Sequence, residues 1–116
     1  MAIRKKYLYE CTVLKVVDGD TLDLTIDLGF KIYREDRFRL ARINAPELRT
    51  EEGKQLKALL AEKYTGATVF VETHKSDIYG RYIAEIWTEE ECVHNLSDWL
   101  LEQNLAVPYT GGKTPK

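Results

Sequence analysis

Apolar and polar positions along this 116-residue chain change period in a way that marks elements before any motif is considered. Tyr7 to Val17 is rich in β-branched and aromatic residues and contains no glycine or proline, which predicts a strand. Beyond Asp18-Gly19-Asp20, Leu22, Leu24 and Ile26 alternate with Asp23, Thr25 and Asp27. That period of two is the mark of a strand with one wet face. Gly29 and the polar run Arg34 to Asp36 suggest a loop or an extended hairpin, and Arg37 to Ile43 a third strand ending at Pro46. Between Glu51 and Tyr64 the period becomes helical through Leu56, Leu59, Leu60 and Lys63, with Gly66 placed for a left-handed cap. Thr68 to Thr73 and Tyr82 to Thr88 are two further strands, joined by a turn at Ser76 to Gly80. A second helix is expected from Ser97, as N-cap, to Gln103, with Leu96, Trp99, Leu100 and Leu101 as its apolar side and Asn104 in the left-handed position after it. The tail YTGGKTPK reads as turn-like and mobile.

Three strands, a helix, two strands and a helix match a five-stranded Greek-key barrel with two helices, the OB-fold. The length fits one domain over residues 1–116, with a core from about residue 6 to 108. No repeat, low-complexity segment or linker interrupts it.

Composition narrows the class. Charged residues are 31% and the net charge is -2, so no basic surface advertises nucleic acid. Five arginines, Arg34, Arg37, Arg39, Arg42 and Arg49, nevertheless fall close together, which leaves room for a local positive site. Cys11 and Cys92 are too few for a disulfide scaffold and read as two small buried hydrophobes. The basic N-terminus is not followed by an apolar stretch of signal-peptide type, and no run approaches a membrane span. The chain as given is therefore expected to be cytoplasmic, without membrane partners, and monomeric, with secretion open if a signal was removed.

Ionisable side chains gather at three turns: DGDT at Asp18 to Thr21, FRLARINAPE at Phe38 to Glu47, and DIYGR at Asp77 to Arg81. Singly, each has a plain explanation. Asp18 and Asp20 are turn formers, Arg39 an outer-face charge, Glu47 a carboxylate at a helix entry, and Tyr79-Gly80-Arg81 a hairpin turn. In this order and on this strand pattern the three together resemble the staphylococcal nuclease (thermonuclease) family. The resemblance runs from about Thr12 to Ala106.

Members of that family are calcium-dependent phosphodiesterases on an OB-fold, and the resemblance implies roles for individual positions. Asp20 matches the metal-binding carboxylate. Asn44 matches a second calcium ligand that is Asp in the best-known members, and Ala45 a position that offers the metal its backbone carbonyl. Glu47 matches the general base, or the group ordering the attacking water. Arg39 and Arg81 match the arginines that clamp the phosphate, and Tyr79 and Tyr109 fall where a nucleotide is contacted or stacked upon. These residue types suit the reaction: planar guanidinium groups hold non-bridging oxygens bidentately, a hard cation with oxygen ligands offsets charge, and a carboxylate activates water. Asn44 contributes no charge, so the implied calcium ion is expected to bind weakly. The implied function is a nuclease acting on DNA, RNA or both with little base specificity; the alternative is a weak or inactive module of the same fold that binds nucleic acid or protein.

Overall fold

A computed structural model describes residues 8–76 and 82–109, as backbone alone at 74–76. Five strands close into a barrel: β1 (Leu8–Asp18), β2 (Thr21–Asp27), β3 (Tyr33–Leu40), β5 (Thr68–Ser76) and β6 (Tyr82–Trp87), in the order β1-β2-β3-β6-β5. A two-residue strand, β4 (Ile43–Asn44), follows β3 and pairs with β7 (Val107–Pro108) in a small separate ribbon. Helix α1 (Glu51–Tyr64) lies between β4 and β5, and α2 (Leu96–Glu102) between β6 and β7. The β3–β6 pair, with Phe38 opposite Tyr82 and Leu40 opposite Ala84, is parallel; the other barrel pairs are antiparallel. This is the five-stranded mixed barrel with two helices that the element order implied.

The alternation in β2 explains the core. Leu22, Leu24 and Ile26 point inward and meet Val13, Phe38, Leu40, Val71 and Ile86. Leu56 and Leu60 of α1 and Leu96 and Leu100 of α2 close the barrel's open faces. Thr50 caps α1, its hydroxyl accepting from Gly53 N at 3.0 Å, and Gly66 takes the expected left-handed conformation just past the helix (φ 83°). Leu59, at helical spacing with the core residues, is exposed.

Several expectations shift. Of the two readings open at Arg34 to Asp36, the extended hairpin holds and the loop does not, because each residue pairs in register with β2: Ile26 with Arg34, Thr25 with Glu35, Leu24 with Asp36. The strand expected to run on to Ile43 breaks after Leu40, where Arg42 turns left-handed (φ 70°). That turn aims the Arg42 guanidinium at Glu85, held by two contacts of 2.6 and 2.8 Å, and at Asp98, 2.8 Å away. The cap of α2 is Asn95 and not Ser97. Asn95 Oδ1 accepts from Asp98 N at 3.0 Å, while its amide nitrogen donates to Glu85 at 2.9 Å, so one side chain ties the helix start to β6. Ser97 is buried inside the helix. Cys11 is buried as expected, and its thiol is pushed up to about 12 by desolvation. Cys92 is not a core residue; it is partly exposed in a turn with φ 60°. The expected turn beyond Ser76 and the tail beyond Tyr109 lie outside the described residues. No helix among the described residues is long and apolar enough to cross a membrane.

Candidate functional site

The β1–β2 hairpin closes through Gly19 and Asp20, with Asp18 opposite Thr21. Gly19 is required here by proximity, since a Cβ would fall 2.6 Å from Leu56 Cδ2 and 2.7 Å from Ala45 Cβ. Helix α1 and the Asn44-Ala45 segment therefore both pack directly onto the turn. Asp20 is fixed from two sides. Its carbonyl accepts from Leu40 N at 2.8 Å, and its carboxylate accepts from Ala45 N at 3.0 Å and from the Thr21 hydroxyl at 3.1 Å. The Asp18 carboxylate in turn receives Asp20 N at 3.1 Å.

Arg39 stands behind this turn, opposite Thr21 in the β2–β3 register, and is 9% exposed. Its guanidinium donates to Leu40 O at 3.2 Å, to Ile43 O at 2.9 Å and to Asn44 Oδ1. It passes Asp20 Oδ2 at 3.8 Å without a hydrogen bond. The Tyr109 ring lies over it, 4.7 Å from ring centre to guanidinium carbon. Nε–H and one Nη1–H of Arg39 have no acceptor among the described residues. Arg39 is thus a buried, oriented cation and not the outer-face charge that strand alternation alone would suggest.

The electrostatics follow from this packing. Burial, seconded by Asp18, pushes the Asp20 carboxyl up to about 6, and the Ala45 N–H and Arg39 only partly oppose it. Asp20 is consequently a half-buried carboxyl whose surroundings disfavour its charged form. Asn44 is in the opposite position: its oxygen is taken by Arg39, and its amide nitrogen is buried without an acceptor.

Glu47 lines an open cleft of about 870 Å³ together with Asp18, Asp20, Asn44, Ala45, Arg49 and residues 104–107, the last of which adjoin Asn44 through its pairing with Val107. The Glu47 carboxylate is exposed and lies 2.5 Å from Arg49 Nε. Its carbonyl is clamped by Thr50, whose N–H and hydroxyl approach to 3.0 and 2.6 Å. Gly53 makes this possible, because a Cβ there would lie 2.0 Å from Glu47 O. Asp20, Asn44, Ala45 and Glu47 are therefore brought to one cleft, with Arg39 and Tyr109 behind it. Tyr79 and Arg81 lie outside the described residues.

Asp18, Arg49 and the two glycines were not singled out as site residues from the sequence. The glycines carried no signal except their positions beside the acidic motifs. The arginine cluster is not a free positive patch: Arg34 pairs with Asp36, Arg37 with Asp23, Arg42 with Glu85 and Asp98, and Arg49 with Glu47.

A family model described as "Staphylococcal nuclease homologue" matches residues 37–115, and the chain belongs to that family. Protein ParB of Escherichia coli is 29% identical over 103 residues, covering 84% of this chain and 55% of its own length. An uncharacterized endonuclease of Escherichia coli O157:H7 is 28% identical over 97 residues, covering 84% of this chain and 59% of its own. The chain thus spans a little over half the length of these curated relatives.

Proposed function

We propose that the chain is a calcium-dependent phosphodiesterase that hydrolyses DNA, RNA or both with little base specificity. The observation that carries this reading is the convergence of Asp20, Ala45 and Glu47 on one cleft, backed by the buried Arg39, in a member of the staphylococcal nuclease homologue family. The printed name of the endonuclease relative is in keeping with it.

Asp20, half-buried with Asp18 adjoining, offers a hard divalent cation oxygen donors, while no group of three or more Asp, Glu, His or Cys side chains gathers for a metal among the described residues. Asp20 and the carbonyl of Ala45 would hold the ion; Asn44, its oxygen occupied by Arg39, contributes least in the orientation it has. When bound, such an ion supplies positive charge against the phosphate oxygens. Arg39, already held by two carbonyls and Asn44, keeps two N–H donors for a phosphate oxygen without having to reorganise. Glu47 takes the proton of the attacking water, exchanging its contact with Arg49 as substrate enters. Arg81 is assigned the second guanidinium, and Tyr79 a nucleotide contact, on the resemblance alone. The Tyr109 ring serves the site by stacking on Arg39.

A second reading, a weak or inactive module that binds nucleic acid or protein, is favoured by one observation: Asn44 stands where the second metal carboxylate is expected. Degradation of single- and double-stranded DNA and RNA, with calcium or chelator, separates the two. A nuclease loses activity on chelation, and Glu47→Gln lowers its rate on the order of 100-fold or more. Indifference to both would leave the binding module.

A further inference from the structure

The β2–β3 hairpin carries an apolar tip at its far end from the site. Phe30 is 97% exposed, Tyr33 62%, Ile32 55% and Leu28 44%. The tip is built and not merely loose. Leu28 N donates to Ile32 O and Ile32 N to Gly29 O, both at 2.9 Å, while Gly29 N is held by the Asp27 carboxylate at 2.8 Å. Phe30 and Lys31 are both left-handed (φ 57° and 62°), a conformation that glycine or asparagine takes more readily than a large side chain. A bulky ring in that conformation, with its face in water, costs the folded monomer and returns nothing to its core.

We propose that this tip is a self-association surface, on which a second copy of the chain seats its own tip across a two-fold axis. Charge argues for a protein occupant. Residues 27–36 carry Lys31 and Arg34 against Asp27, Glu35 and Asp36, and Asp23 behind them is paired with Arg37, so the tip is slightly acidic and does not attract phosphates or anionic lipid heads. The same mixture is self-complementary, since Lys31 of one copy can face an acid of the other. Area sets the strength. The four apolar side chains expose on the order of 500 Å², taking each at about 150–250 Å² in full. Two such patches bury at most about 1,000 Å², below the ~1,200 Å² at which stable specific interfaces begin, so the dimer is weak and reversible. Seven residues of β2 at about 3.3 Å each separate the tip from Asp20, so the contact leaves both clefts uncovered.

Sedimentation velocity of the full chain over a concentration series from about 1 μM to 1 mM tests this. Wild type is expected to shift from monomer toward dimer, and Phe30→Ser to weaken that association at least tenfold. The circular dichroism spectrum and melting temperature of Phe30→Ser should match wild type, because the ring contacts solvent in the monomer. A wild type that stays monomeric throughout, or a dimer indifferent to Phe30→Ser, overturns the proposal. Phe30-dependent binding of the monomer to single-stranded DNA or to phosphatidylserine vesicles, without dimerisation, overturns it in favour of those partners.

Discussion

The Asn44 amide oxygen accepts from the Arg39 guanidinium, and its nitrogen is left buried with no acceptor. One side chain thus helps to orient the proposed phosphate-binding cation while leaving a donor unsatisfied beside an acid. Asn44→Asp puts an oxygen at each position, gives Arg39 a charged partner and adds a carboxylate near Asp20. Calcium affinity in oxygen sites tracks the number of charged ligands. The calcium concentration for half-maximal activity is expected to fall about tenfold, and calcium should raise the melting temperature of the variant more than that of wild type. Equal calcium requirements in the two proteins would remove Asn44 from the account of metal affinity.

Gly53 places the first turn of α1 against the backbone of Glu47. With only 2.0 Å between an added methyl and Glu47 O, Gly53→Ala forces the helix or the Glu47 segment to move. Overpacking of this kind costs about 1–3 kcal/mol. Misplacing the proposed base also lowers kcat, on the order of tenfold to 100-fold. Urea unfolding and steady-state kinetics on the same preparation check both, and a variant as stable and active as wild type would show that Glu47 tolerates the shift.

Arg42 links β6 to α2 through Glu85 and Asp98, and Glu85 is 15% exposed in its side chain. Arg42→Ala leaves that carboxylate nearly buried and without its guanidinium. A loss of roughly 1–3 kcal/mol is expected in denaturant unfolding, with Arg42→Lys recovering only part of it. Removing Asp98 instead, which is half exposed, should cost much less.

Glu89 organises the loop before α2. The backbone N–H of His94 does most to hold its carboxyl down, to about 2; desolvation, next in size, opposes it, and the His94 ring, the Val93 N–H and the Thr88 hydroxyl add to the lowering. A carboxyl lowered on folding contributes stability that is present above its unfolded value near 4.5 and lost as pH falls toward 2. Wild type should therefore melt higher than Glu89→Gln at pH 6, and the two curves should converge between pH 4.5 and 2. Parallel curves across that window would mean the carboxylate charge contributes nothing.

How much of this was legible in the sequence depends on whether a position is set by periodicity or by contact. Leu22, Leu24 and Ile26 announce their strand because burial on one face requires that spacing. Spaced motifs set Asp20 and Glu47 together as candidate residues, and one cleft does bring both to one place. The break after Leu40 was not legible, because it is driven by Arg42 reaching acids 43 and 56 residues further along. The cap at Asn95 was missed for the same kind of reason. Ser97 is an equally good capping residue by type, and only the tie from Asn95 to Glu85 decides between them. Strand β7 had no local signature either: Val107-Pro108 is extended only because Ile43-Asn44 lies opposite.

That last pairing governs when the cleft can exist. Its lining comes from the first half of the chain and from residues 104–107. Tyr109, stacked on Arg39, is likewise supplied from beyond β7 and tied by its N–H to Arg42 O at 2.9 Å. On this reading hydrolytic competence requires residues 104–109 to be in place beside the closed barrel.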